Sequence, residues 1–185
     1  MAVSGVLTRR VVTDVERFYA DHRDGVFRYL RRIVGEPDAA RDLTQEVFLR
    51  VTRAGVPEAT ERCRRAWVFK IARNLALNHV RNGHRRPMVV ELGDVVMPAT
   101  QELALALRDA VSALPPLDRD VFLLRETAGL RYDEIASACY VPIEVVRGRL
   151  HQARQSLRSA LAAPLDARGQ RGLRATMAGA RRPSD

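Results

Sequence analysis

Lysine is almost missing from this 185-residue chain, in which a single Lys70 stands beside 30 arginines. Cysteine is scarce too: Cys63 and Cys139 lie far apart and belong to no C-x-x-C pair, which excludes a disulfide scaffold. Cys63 with His79 and His84 is one ligand short of even a minimal zinc finger. No apolar run approaches the roughly 20 residues of a membrane span. The opening MAVSGVLTRRVV lacks the apolar core of a signal peptide. These absences predict a cytoplasmic protein with no membrane partner. There is also no Gly-rich phosphate loop and no pair of carboxylates in an apolar setting, so neither an enzyme nor a cofactor site is expected.

What is present is positive charge, unevenly placed. Of the net +9, residues 14–86 carry +6 and residues 162–185 carry +3, while 87–107 carry −3. Basic segments on either side of an acidic connector make nucleic acid the first candidate partner.

The stretch 131–154, RYDEIASACYVPIEVVRGRLHQAR, reads as two short helices broken by a turn. The first spans about Tyr132 to Cys139, with Ile135, Ala136 and Cys139 on one face. Pro142 ends it, because the residue before a proline is pushed out of the α region. The second starts near Ile143 and carries one stripe, Val146, Leu150, Ala153, Leu157 and Leu161. Glu144, Arg147, Gly148, His151 and Arg154 are left on the other face. This is the layout of a helix-turn-helix, whose second helix enters the major groove. A packed helical hairpin is the plainer alternative. Charge favours DNA, since residues 135–161 hold four arginines against Glu144 alone. Two residues fit poorly. Tyr140 occupies a turn position that favours glycine, where a left-handed backbone costs roughly 1–2 kcal/mol. Arg131 stands where Ser, Thr or Asp would cap the helix, a deficit of about 1 kcal/mol.

Earlier in the chain, Asp14 to Ile33 predicts a helix with Phe18, Val26, Phe27, Leu30 and Ile33 inward. Gly35 and Pro37 mark a turn, and Asp38 is the expected N-cap of a second helix with Ala40, Leu43, Val47 and Val51 as its stripe. Opposite lie Asp42, Gln45, Glu46 and Leu49, by themselves an ordinary solvated face. A third helix, from about Arg64 to Asn82, falls in a stretch without acids: Arg62, Arg64, Arg65, Lys70, Arg73, Arg81, Arg85 and Arg86 are all basic. Trp67 and Phe69 are interleaved with them, and Asn74 and Asn78 sit one turn apart. Aromatics and amides on a basic helix suit single-stranded nucleic acid, whose bases stack on rings. Trp67 equally suits a core position. Asp118 to Glu126 predicts a further helix with Leu117, Val121 and Leu124 inward. Residues 162–185, rich in Ala, Gly, Pro and Arg, read as a disordered basic tail.

The motifs DLTQEVFLRV, RAWVFKIARNLALNHVR and ALPPLDRDVFLL–AGLRYDEIA–EVVRGRLHQAR, in that order, resemble bacterial RNA polymerase sigma factors of the extracytoplasmic-function class. The resemblance runs from about Phe18 to Leu161. It implies an all-α protein of two small helical domains joined by a flexible acidic linker. Residues 14–86 would be region 2, 87–107 the linker, and 108–161 region 4 with its helix-turn-helix. The implied partners are core polymerase and promoter DNA, both duplex and melted, with an anti-sigma factor as a further expectation. Asp42, Leu43, Gln45, Glu46 and Leu49 match the polymerase-docking segment. The Gly55–Arg62 loop matches one that captures a flipped-out base. Arg62, Arg64, Arg65, Lys70, Arg73, Asn74, Asn78, Arg81, Arg85 and Arg86 would serve the minus-10 element. Glu144, Val145, Arg147, Gly148, Arg149, His151 and Arg154 would serve the minus-35 element. Relatives mostly have Asp where this chain has Asn78, and Thr and Ser where it has Val145 and Gly148. A stand-alone helix-turn-helix regulator, or a degenerate relative acting through protein contacts, is the competing reading.

Overall fold

The computed structural model describes residues 3–82 and 98–179, with side chains described for 14–82 and 103–162. Among these residues every regular element is a helix: α1 (Val3–Val34), α2 (Pro37–Ala54), α3 (Glu61–Arg81), α4 (Pro98–Ala113), α5 (Pro116–Glu126), α6 (Tyr132–Cys139) and α7 (Ile143–Gly179). The all-α expectation holds, and α6 and the start of α7 fall where the periodicity puts them.

Helices α1, α2 and α3 pack pairwise into the first bundle. Its centre is Val26, Tyr29, Leu30, Val47, Val51, Val68 and Phe69, all buried. Side chains of this size each contribute about 1.5–3 kcal/mol on full burial. Phe69 meets Tyr29 edge-on, with ring centroids 5.8 Å apart. It is therefore core, and the expectation that it stacks on bases is wrong. Trp67 is half-buried near Phe18, 6.4 Å between centroids.

In the second bundle α4 and α5 lie on α7, and α6 is wedged between α5 and α7. The stripe Val146, Leu150, Ala153 and Leu157 is buried as its spacing requires, and Leu161 is half-buried. Helix α5 ends in a turn through Gly129 at φ +66, where the Leu130 N–H donates back to the Leu124 carbonyl. Glycine takes that left-handed conformation without a Cβ clash.

Four boundaries differ from expectation. Helix α1 begins at Val3, well before Asp14. Pro37 occupies the first turn of α2, so its N-cap is Glu36. Asp38 is thereby displaced from the cap and pairs with Arg41 instead. Helix α4 starts at Pro98, inside the stretch assigned to the linker. A proline at a first helical position forfeits no hydrogen bond, and the Ala/Leu run after it favours helix. Residues 83–97 lie outside the described ones. Finally, α7 continues to Gly179 through the supposed disordered tail. The apolar stripe ends at Leu161, but a stripe reports burial and not where the helical backbone ends; the helix runs on through Pro164, Gly169 and Gly172, which local propensity does not favour. Residues 180–185 are outside the described ones.

His22 on α1 is buried edge-on against Phe18, at 4.3 Å between centroids. Its Nε2 lies 3.0 Å from a Glu61 carboxylate oxygen but without a well-aligned hydrogen bond. Burial holds the imidazole below its ordinary 6.5, outweighing the opposing pull of Glu61 and Asp21. As pH falls the unfolded chain takes up this proton first, so stability is present above about 6.5 and lost below it. Between about pH 7.5 and about pH 5.5 the thermal midpoint should fall more steeply in the wild type than in His22→Gln. Equal slopes would remove His22 from the account.

Candidate nucleic-acid interface

Three helix faces carry the sequence-derived residues. On α2, burial of Ala40, Val47 and Val51 turns Asp42, Gln45 and Leu49 outward. Leu49 is half-exposed, an apolar side chain amid polar neighbours. Leu43 and Glu46 are half-buried at the edge of this face, and Glu46 accepts from Arg50 at 2.7 Å. Beside them a cleft of about 350 Å³ opens between α1 and α2, lined by Tyr19, Arg23, Phe27 and Gln45 among others. Tyr19 and Arg23 were not singled out from the sequence. Their i,i+4 spacing, a cation over a ring at 5.7 Å, was the available signal.

The Gly55–Arg62 loop leads from α2 to α3. Gly55 turns it with φ +76, and the Thr60 hydroxyl caps α3 by accepting from the Cys63 N–H. Beyond it Asn74, Asn78 and Arg81 project from one exposed face of α3, as their spacing requires. Arg62 is exposed as well, and Arg64 pairs with Glu61 at 3.4 Å.

The other cations of α3 behave differently, because α3 also packs against α6 of the second bundle. Arg73 donates to Asp120 at 2.9 Å. Arg65 donates to the Ala128 carbonyl and approaches Glu134 at 3.9 Å. The Lys70 ammonium sits 4.1 Å from the centre of the Tyr140 ring. In this conformation the three are engaged by the protein itself. Arg85 and Arg86 lie outside the described residues.

On α7 the exposed face carries Glu144, Arg147, Gly148, His151 and Arg154, with Val145 half-buried. Arg154 pairs with Glu126 at 2.8 Å. Arg149 is turned back to Asp118, 3.3 Å away and almost fully buried. It joins α7 to α5, whereas Arg147 stays exposed. Arg149→Ala, which strands the buried Asp118, should therefore lower stability by about 1–3 kcal/mol. Arg147→Ala should leave the urea midpoint unchanged and weaken DNA binding. Identical urea midpoints for both variants would contradict this division of roles.

The two anomalies in the helix-turn-helix are both real. Tyr140 has φ 58 and ψ 44, the left-handed conformation usually given to glycine. Arg131 is the N-cap of α6, and its guanidinium has no acceptor to offer. Glu134 compensates from the third helical position by accepting from the Arg131 N–H at 2.6 Å.

Among the described residues no group of three or more His, Cys, Asp or Glu could hold a metal ion. No helix there is long and apolar enough to cross a membrane. Family models match the chain twice, as Sigma-70 region 2 at residues 18–86 and Sigma-70 region 4 at residues 104–157. The chain is 34% identical over 152 residues to "ECF RNA polymerase sigma factor SigE" of Mycolicibacterium smegmatis, covering 76% of this chain and 59% of that one. It thus spans somewhat over half the length of that relative. It is 30% identical over 156 residues to "ECF RNA polymerase sigma factor SigL" of Mycobacterium tuberculosis, covering 77% and 86% respectively. The solved structure of the sigma factor RpoE in complex with the anti-sigma factor NepR, from Bartonella quintana, shares the fold. The TM-score is 0.64 at 16% identity, over 80% of this chain and 97% of that one.

Proposed function

The chain belongs to the extracytoplasmic-function (ECF) class of RNA polymerase sigma factors, and we propose that it binds core RNA polymerase, directs it to promoters and helps open the DNA. The observation that carries this reading is the coexistence on one chain of three differently built faces. The α2 face is mixed acidic and apolar, with Asp42, Gln45, Glu46 and Leu49, and suits a protein partner. The α3 face offers two amides and a guanidinium, groups that hydrogen-bond base edges of a separated strand. The α7 face is a helix-turn-helix second helix with Arg147 outward, a form that suits a major groove. A stand-alone regulator would need the third face but neither of the others.

In this scheme the chain supplies binding energy and strand separation, and the polymerase supplies the chemistry. Residues 55–62 would receive an extruded base, an event that costs a few kcal/mol and is offset by contacts to the base edge. Region 4 would position the complex on duplex DNA. An anti-sigma partner is also proposed, on the ground that the structural relative with this fold was solved bound to one. The test is reconstitution. Core polymerase with this protein should form heparin-resistant complexes on a subset of genomic promoter fragments. Core alone, or core with a variant of this protein altered on its α2 face, should form none.

A further inference from the structure

Nothing inside the protein calls for glycine at position 148. Gly148 lies in the interior of α7 and is not among the residues of positive φ, so the backbone does not need it. A Cβ added there would meet nothing within 4 Å, so packing does not need it either. Gly25 in the interior of α1 is different, because a Cβ there would touch the Phe69 ring at 3.5 Å. An interior glycine weakens a helix relative to alanine, since it gives up more backbone freedom on folding. At Gly148 that cost has no return within the chain. The remaining reason for a glycine is close approach of a ligand to the backbone.

Its surroundings narrow what approaches. Gly148 is exposed on the side of α7 opposite the buried stripe of Val146, Leu150 and Ala153, at the crest of the outward face. Residues three and four apart are neighbours on a helix surface. Glu144 and Gln152 therefore stand one turn before and one turn after it, both exposed. Arg147 is exposed on one flank, and the half-buried Val145 forms the other. The crest is a notch with polar rims and a valine in its wall. Neither glycine nor valine has a side-chain donor for a phosphate, and the Glu144 carboxylate nearby repels one. An apolar group suits the notch, and the one that the edges of the base pairs present in the major groove is the C5 methyl of thymine.

We propose, on the reading of α7 as the helix that enters the major groove, that the Gly148 notch with Val145 receives the C5 methyl of one thymine. This contact makes the chain select a T·A pair at one place in its minus-35 element. Gly148 is then a specificity determinant by what it leaves out, and Arg147 on the rim is a separate contact.

The test uses holoenzyme formed from core polymerase and the full chain, on promoter fragments that form heparin-resistant complexes. Each thymine of the minus-35 element that these fragments share, on either strand, is replaced in turn by deoxyuridine, which removes only the C5 methyl. One such replacement should weaken binding about three- to fivefold, the loss for one buried methyl group. Gly148→Ala fills the notch. It should raise the thermal midpoint of the free protein, because alanine favours the helix, and weaken holoenzyme binding to the thymine template about tenfold. On the deoxyuridine template Gly148→Ala should bind no worse than on thymine, because the methyl and the new Cβ compete for one space. A lowered midpoint would show that the fold itself needs the glycine and would overturn the proposal. Undiminished promoter binding by Gly148→Ala would overturn the close approach. If no deoxyuridine weakens binding, or the same one weakens wild type and Gly148→Ala alike, no methyl occupies the notch and the proposal falls while the reading of α7 stands. If holoenzyme forms but binds without regard to the minus-35 sequence, the reading of α7 falls and takes the notch with it.

Discussion

Replacing Gln45 by Ala and Glu46 by Lys together should abolish co-purification with core polymerase while the protein stays folded. The two residues lie on the α2 face opposite Ala40, Val47 and Val51, which are buried and untouched by the change. Glu46 is a helix neighbour of Arg50 at 2.7 Å, so a lysine there trades an attractive i,i+4 pair for a repulsive one. That exchange costs only a few tenths of a kcal/mol on an exposed helix surface. Effects on a docked interface are larger. Hot-spot truncations cost about 2–4 kcal/mol each, and a charge reversed against a complementary partner adds to that. Two such losses move a nanomolar complex beyond the range of affinity purification. Circular dichroism and the thermal midpoint should stay within a few degrees of wild type. A variant that keeps its affinity for core would show that this face of α2 is only solvated.

Asn78→Ala should leave binding to a minus-35 duplex unchanged and reduce open complex about tenfold, as expected from one lost base-edge contact. The side chain is exposed on α3, one turn from Asn74, and supports no part of the core. Permanganate reactivity of unpaired thymines reads the effect. On a template already mismatched across the minus-10 element the defect should shrink, because the unstacking cost has been removed beforehand. A defect equal on both templates would assign Asn78 to recognition of the separated strand and deny it a part in melting. No defect on either would remove it from the site.

The helix-turn-helix was legible in the sequence nearly to the residue, because its signals are local. A stripe in steps of three and four, and a proline at a fixed offset, need no knowledge of the rest of the chain. Tyr140 in the left-handed region was legible for the same reason, since the turn geometry dictates φ whatever residue stands there. The contact that residue makes was not legible, because Lys70 is seventy positions away and only the fold brings its ammonium onto the ring. Arg149 shows the same limit. Spacing places it near the residues expected to face DNA, yet a buried Asp118 on another helix draws its guanidinium away. Phe69 was misjudged because a basic helix with aromatics admits two arrangements, and only the packing of α1 on α3 decides between ring-in and ring-out. The start of α4 was missed because helical backbone needs no apolar stripe where the residues themselves favour helix, whereas α7 runs on through Pro164, Gly169 and Gly172 against local propensity, which no sequence signal announces. Of the α2 face, the outward direction of Asp42, Gln45 and Leu49 followed from periodicity, while the adjoining cleft with Tyr19 and Arg23 needed α1 in place.

The central claim is that this chain gives core polymerase its promoter choice. The most direct measurement is transcription from total genomic DNA by purified core polymerase with and without the protein, followed by sequencing of the transcript 5′ ends. The account predicts new starts that cluster downstream of one shared pair of elements at a fixed spacing. These starts should disappear with the Gln45→Ala, Glu46→Lys variant. Starts indistinguishable from those of core alone, with the protein shown to be folded and bound, would contradict it.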